Sequence, residues 1–145
     1  MDFIARIEIP KNSYFKYELN KNYTNLVVDR VLSIPCPFNY GFMEDCPIQA
    51  DGDPLDVFVI SAEPLVSLSQ VKIRPLGIFL CQDQGVEDNK VVGEIEGDFY
   101  KDYNYIKAIR FYLENYKPGF KILEYKVFND MILFKNFIEG KKECM

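Results

Sequence analysis

Short runs with strand character fill the chain to about residue 96. Ala5–Ile9 sets Ala and Ile against Arg6 and Glu8, while Phe15–Leu19, Leu26–Arg30, Asp56–Ile60, Val71–Leu80 and Lys90–Ile95 are rich in β-branched and aromatic residues. Asn, Gly, Pro and Asp stand between the runs, so each reads as a strand bounded by turns. Pro75 lies inside Val71–Leu80 and cannot donate to a ladder, which predicts an edge position, a bend or a bulge at that point. This is the rhythm of a small barrel. After Gly97 the period lengthens: Ile106, Ile109, Leu113 and Tyr116 recur at three, four and three residues, one face of a helix that Pro118-Gly119 stops. Lys121–Phe128 returns to strand character, and Leu133, Phe134, Phe137 and Ile138 mark a second helix with Asp130 as its N-cap and Gly140 at its end. The expected class is mainly β (α+β), a small barrel with two helices packed against it.

Composition narrows the function more than the fold. At 145 residues and 48% hydrophobic, the chain suits one domain spanning 1–145, with no repeat or linker. No apolar run approaches a membrane span, and Met1–Pro10 lacks the basic start and long apolar centre of a signal peptide, so the expected location is intracellular, in the cytoplasm. Net charge is −5 with acids and bases interspersed, which disfavours nucleic acid or an anionic membrane as the main partner. Cys36, Cys46, Cys81 and Cys144 form no C-x-x-C pair, and there is no histidine, so the usual zinc and iron–sulfur patterns are excluded and the cysteines read as free thiols. Histidine-assisted serine or cysteine nucleophiles are excluded with them. Any hydrolysis must use carboxylates, lysine, tyrosine or a water activated by metal.

The densest chemistry is at Gln49–Ile60, QADGDPLDVFVI, where Asp51, Asp53 and Asp56 fall within six residues and lead into a strand. Three carboxylates at a partly buried strand end raise one another's pKa unless positive charge balances them. Asp51 and Asp53 are two apart and share a face of an extended chain, and Pro54 interrupts pairing so that Asp56 can turn back toward them. An all-oxygen donor set suits Mg²⁺, Mn²⁺ or Ca²⁺. A calcium EF-hand loop would require Gly where Asp56 stands and Glu where Ala62 stands, so that pattern fails. A solvated Asp-rich turn explains the bare pattern equally well.

The remainder of the chain decides between these. Asp51–Val57, DGDPLDV, resembles the signature of the soluble family I inorganic pyrophosphatases, and six further motifs follow that family's order: Ile7–Pro10, Lys16–Glu18, Asp29–Arg30, Asn39–Gly41, Asp83 to Lys90, and Tyr116–Lys117. The resemblance covers residues from about 5 to about 125. It implies hydrolysis of pyrophosphate to two orthophosphates on a distorted five-stranded OB-like β-barrel, with several Mg²⁺ ions per site. By position, Asp51, Asp56 and Asp88 match ligands of a first ion, Asp56 of a second, Asp83 and Asp88 of a third, and Glu18 supports a fourth, while Glu8 matches a further carboxylate of the site. Asp53 matches the general base, and Lys16, Arg30, Tyr40, Lys90, Tyr116 and Lys117 match residues that hold phosphate oxygens. Bacterial relatives form hexamers, which implies a homo-oligomer.

Charge balance agrees with that implication. Seven acids against four bases leave the cluster three charges negative, so an anionic pyrophosphate needs divalent cations to enter, and two ions sharing a water lower its pKa toward neutrality. Taken singly, each residue has a plainer reading: Glu8 and Glu18 as outward strand positions, Arg30 and Lys90 as strand-end charges, Tyr40 as a turn aromatic, Tyr116 as the end of an apolar helix face, and Lys117 as a charge favoured by the helix dipole. The chain departs from the family pattern at Cys36, where many relatives carry a tyrosine, and at Gln84, where an acid is common. These departures motivate a first rival, a weakened relative that only binds a phosphorylated ligand. A second is an OB-type nucleic-acid module, against which the acidic balance speaks.

Overall fold

The computed structural model describes residues 3–19, 25–44, 54–128 and 136. Its strands are β1 (Phe3–Ile9), β2 (Phe15–Leu19), β3 (Leu26–Val31), β4 (Asn39–Met43), β5 (Asp56–Ile60), β6 (Gln70–Asp83), β7 (Val86–Glu87), β8 (Lys90–Ile95) and β9 (Phe120–Val127), with helix α1 at Tyr105–Asn115. The expected second helix falls outside the described residues except for Asn136, which is helical. Five strands close on themselves: β1 pairs with β4, β4 with β5, β5 with β8, β8 with β6, and β6 again with β1. Only β5 and β8 run parallel. β6 is long enough to serve four partners, since its later half also pairs with β9 and β7. β2 and β3 form a separate antiparallel ribbon.

Both faces of the ring are covered, which explains why β5 and β8 are nearly continuous in apolar residues. Val57, Val59 and Val91 pack with Phe3, Ala5, Ile7, Ile73 and Ile78 in the enclosed core. Phe58, Ile60 and Val92 face the other way and meet Phe79, Ile109, Tyr112 and Leu113, so α1 seals the outer face. Helix burial falls on Ile109, Tyr112 and Leu113, close to the face expected from the spacing.

Bulges make single strands serve both cores. In β1 the register slips between Ile7 and Ile9, so Glu8 is the extra residue. Ile7 accordingly belongs to the enclosed core and Ile9 to the helix-side core, although a regular strand would point both the same way. In β6 the slip lies between Pro75 and Gly77, the bulge outcome at Pro75, and it moves Ile73 and Ile78 onto one face despite their odd spacing. A third slip, between Lys16 and Tyr17 opposite Arg30 and Val28, makes Asp29 the extra residue of the ribbon. At the crossing of β1 and β4, a Cβ on Gly41 would stand 1.7 Å from the Arg6 carbonyl oxygen, so only glycine allows the two strands to meet. Cys36 and Cys81 are buried free thiols, while Cys46 and Cys144 lie outside the described residues. Among the described residues no helix is long and apolar enough to cross a membrane.

Candidate active site

A cleft of about 680 Å³ opens where the ribbon, the ring and the end of α1 meet. β1 contributes Glu8 through its bulge, β2 and β3 contribute Lys16, Asp29 and Arg30, and β4 contributes Tyr40. Asp56 and Lys90 are the first residues of the parallel pair β5 and β8 and stand in register with each other. Asp83 ends the main run of β6, Asp88 precedes β8, and Tyr116 and Lys117 follow α1.

Lys90 is the electrostatic centre. Its side chain is 3% exposed, and Nζ lies 2.5 Å from Asp56 Oδ2 and 3.0 Å from Asp88 Oδ1. It also donates to the Tyr40 hydroxyl at 2.8 Å, and that hydroxyl donates to Asp56 Oδ2 at 2.7 Å. Burial pushes the ammonium pKa down, but Asp56 and Asp88 outweigh burial and hold it above the ordinary lysine value. Burial pushes the Tyr40 phenol well up, and Asp56 adds to the effect, so Tyr40 remains a neutral donor. Asp88 is fixed from behind: its amide donates to the Cys81 carbonyl at 2.9 Å, and the Cys81 amide donates to Asn89 Oδ1 at 3.0 Å.

The outer carboxylates have their own cations. Lys117 Nζ lies 2.6 Å from Asp83 Oδ2. Lys16 stands between Glu8 at 3.5 Å and Asp29 at 3.3 Å. Burial raises the pKa of Glu8, with Lys16 opposing the rise and the charges of Asp56 and Asp29 adding to it. Burial also raises the Tyr116 phenol, helped by Asp88, Asp83 and Asp56. Five carboxylates and four cations thus line the cleft among the described residues.

Ten of the thirteen residues expected from the sequence line this one cleft: Glu8, Lys16, Arg30, Tyr40, Asp56, Asp83, Asp88, Lys90, Tyr116 and Lys117. Glu18 does not; it is exposed on β2, opposite Val27. Asp51 and Asp53 lie outside the described residues, although Pro54, which follows Asp53, lines the cleft. Among the described residues no three carboxylates or thiols converge closely enough to hold an ion by themselves, and Lys90 stands between Asp56 and Asp88. Cys36 does not line the cleft; it is buried in the helix-side core, and burial pushes its thiol up to about 12. Gln84 is likewise absent from the lining: with Gly85 it makes the two-residue turn between β6 and β7, both at positive φ.

Of the five other lining residues, Ile9, Phe42 and Pro54 supply only walls, while Asp29 and Tyr112 bring polar groups that were not singled out from the sequence. Asp29 appeared only as the neighbour of Arg30, and the bulge that brings both to the cleft has no sequence signal. Tyr112 could have been found, because it is three residues after Ile109 and four before Tyr116, on the same helix face.

Comparison with known proteins gives a consistent picture. The family model described as "Inorganic pyrophosphatase" matches residues 5–132. The chain is 39% identical to the inorganic pyrophosphatase of Nanoarchaeum equitans, over 88% of each protein. It is 38% identical to the soluble inorganic pyrophosphatase 2 of Chlamydomonas reinhardtii, over 78% of this chain and 64% of that one. Among solved structures, the inorganic pyrophosphatase of Neisseria gonorrhoeae superimposes with a TM-score of 0.78 at 26% identity, covering 96% of this chain and 88% of the other. That of Coxiella burnetii gives 0.76 at 30% identity, covering 96% and 92%.

Proposed function

Because the chain belongs to the inorganic pyrophosphatase family, we propose that the cleft around Lys90 hydrolyses pyrophosphate to two orthophosphates with Mg²⁺ as the divalent cofactor. The observation that carries this reading is the sharing of one buried ammonium by Asp56 and Asp88 beside further carboxylates and cations. A site meant only for an anion would not bury aspartates there, and a site meant only for a cation would not need four basic side chains.

The family uses a divalent metal, and the donors present fit a hard one. Asp56, Asp83 and Asp88 offer carboxylate oxygens from three strand ends around the same cleft, with neither histidine nor an exposed thiol among the lining residues. In this reading Asp51, Asp56, Asp83 and Asp88 hold Mg²⁺, with Glu8 as a supporting carboxylate. When bound, such ions offset the charge of the substrate and make a water acidic enough to attack near neutral pH.

Asp53 takes one proton from the attacking water as its oxygen joins phosphorus and the bridging P–O bond breaks. Lys16, Arg30, Lys90 and Lys117 stabilise charge on the transferred and leaving phosphates. Tyr40 and Tyr116 have pKa values raised by burial and by nearby aspartates, so both stay protonated; Tyr116 donates to a phosphate oxygen, and Tyr40 does so by turning its single hydrogen away from Asp56.

The test is phosphate release by purified Asp53→Asn and Asp56→Asn proteins. Loss of about 10²-fold or more in kcat with an unchanged circular dichroism spectrum supports the roles. Wild-type turnover from Asp56→Asn would refute them. The same proposal includes a single domain over 1–145, a cytoplasmic location, and a homo-oligomer with a hexamer as the first arrangement to test by sedimentation. It excludes nucleic acid and membrane as main partners, which the net charge of −5 supports.

A further inference from the structure

Tyr116 is the residue on which the end of α1 meets the cleft, yet the helix itself does little to hold it. It is the C-cap of a helix with no basic residue in its last turn, and the loop that follows reaches Gly119 at φ +78°. Backbone at such an end is held weakly unless side chains fix it. The Ser33 hydroxyl donates to the Tyr116 carbonyl at 3.4 Å, and the Tyr116 side chain itself is held by aromatic rings. The Tyr116 ring stacks on Tyr112 one turn earlier, with centroids 5.0 Å apart and planes at 23°, and meets Phe120 edge-on at 5.2 Å.

Tyr112 is anchored in turn. It is buried, meets Phe58 edge-on at 6.1 Å, and packs in the same helix-side core as the fully buried Cys36. Tyr112 also lines the cleft beside Tyr116, and the charge of Arg30 reaches both phenols.

We infer that Tyr112 is a positioning residue for Tyr116: its ring, held against Phe58 in the helix-side core, stacks on Tyr116 and presents the Tyr116 hydroxyl to the cleft ready for a phosphate oxygen. This rests on the reading of Tyr116 as a phosphate-binding residue. Its consequence lies in substrate binding, because a ring already held loses less freedom when substrate arrives.

A double-mutant cycle on the full chain tests it, with steady-state pyrophosphate hydrolysis at saturating Mg²⁺ and thermal midpoints for every variant. Tyr112→Leu is expected to raise KM about 2- to 10-fold, the worth of one aromatic stack, with kcat nearly unchanged. That increase should vanish in a Tyr116→Phe background, where the hydroxyl to be positioned is gone. Tyr112→Phe keeps the stack, folds under milder demands, and should leave KM close to the wild-type value. The inference is overturned if Tyr112→Leu shifts the thermal midpoint but leaves KM unchanged, or if Tyr112→Phe raises KM as much as Tyr112→Leu does. It is also overturned if the Tyr112→Leu effect persists in full beside Tyr116→Phe. If Tyr116→Phe alone leaves KM unchanged, the phosphate-binding reading of Tyr116 fails, and the inference with it.

Discussion

Replacing Lys90 with methionine removes a buried charge while keeping most of the stem volume, and its consequence can be worked from the geometry. Lys90 Nζ is 2.5 Å from Asp56 and 3.0 Å from Asp88, with its side chain 3% exposed. Breaking a buried pair from one side costs about 3–5 kcal/mol, because the remaining carboxylate is left uncompensated. Asp56 is 19% exposed and regains some hydration, which favours the lower part of that range, whereas Asp88 at 7% does not. For a chain of this size about 3 kcal/mol corresponds to a fall of roughly 6–12 °C in thermal midpoint. Divalent metal should reduce the loss. Mg²⁺ supplies the missing charge, and at a hundred times its Kd a ligand adds about 2.7 kcal/mol. The assay is thermal and urea unfolding of both proteins in EDTA and in excess Mg²⁺. A midpoint within about 2 °C of wild type in EDTA would refute the charge argument, since by the same scaling it means less than about 1 kcal/mol. Equal Mg²⁺ stabilisation of both proteins would refute the link to metal.

Other consequences concern the frame of the site. Glu94 is buried with Arg74 and Lys101 on it; burial raises its pKa, but hydrogen bonds from Lys101 and Arg74 prevail and hold it below the ordinary carboxylate value of 4.5. Its contribution is therefore full above pH 4.5 and lost as pH falls through the lower folded value, so the stability difference between wild type and Glu94→Gln should be largest near neutrality and disappear in acid. Gly41→Ala would press a methyl group to 1.7 Å from the Arg6 carbonyl, and we expect loss of soluble folded protein, or a destabilisation of at least about 3 kcal/mol by urea unfolding. Gln84 sits at φ +51° in a two-residue turn, so Gln84→Asn should stabilise by about 0.5–1 kcal/mol in thermal unfolding and leave turnover unchanged.

Much of the frame was legible because apolar residues are placed where strand or helix geometry requires them. Phe15–Leu19, Asp56–Ile60 and Lys90–Ile95 have the expected bounds, and Pro75 marks a real bulge. β4 was missed because NYGFM mixes a turn-like Asn-Tyr-Gly with two apolar residues, and its strand character comes from pairing with β1 and β5 on either side. β7 is two residues long and exists only as the return of the Gln84-Gly85 turn. The site was legible as a set of motifs but not as a geometry. No pattern in IEI announces that Glu8 is an inserted residue, nor does DR announce that Asp29 is; both depend on register set by partners far along the chain. The same limit applies to Phe58 and Tyr112, which are 54 residues apart and meet only once α1 closes over the ring. Glu18 shows the converse: K-Y-E reads as one motif, yet Lys16 lines the cleft and Glu18 is exposed outside it.

The most direct measurement is phosphate release from pyrophosphate by the wild-type chain, titrated with Mg²⁺ and reversed with EDTA. The account predicts two orthophosphates per pyrophosphate, no turnover in EDTA, and restoration on adding Mg²⁺ in excess of the chelator. Tight pyrophosphate binding without release of phosphate at any Mg²⁺ concentration would contradict it, and would make the cleft a binding site rather than a catalytic one.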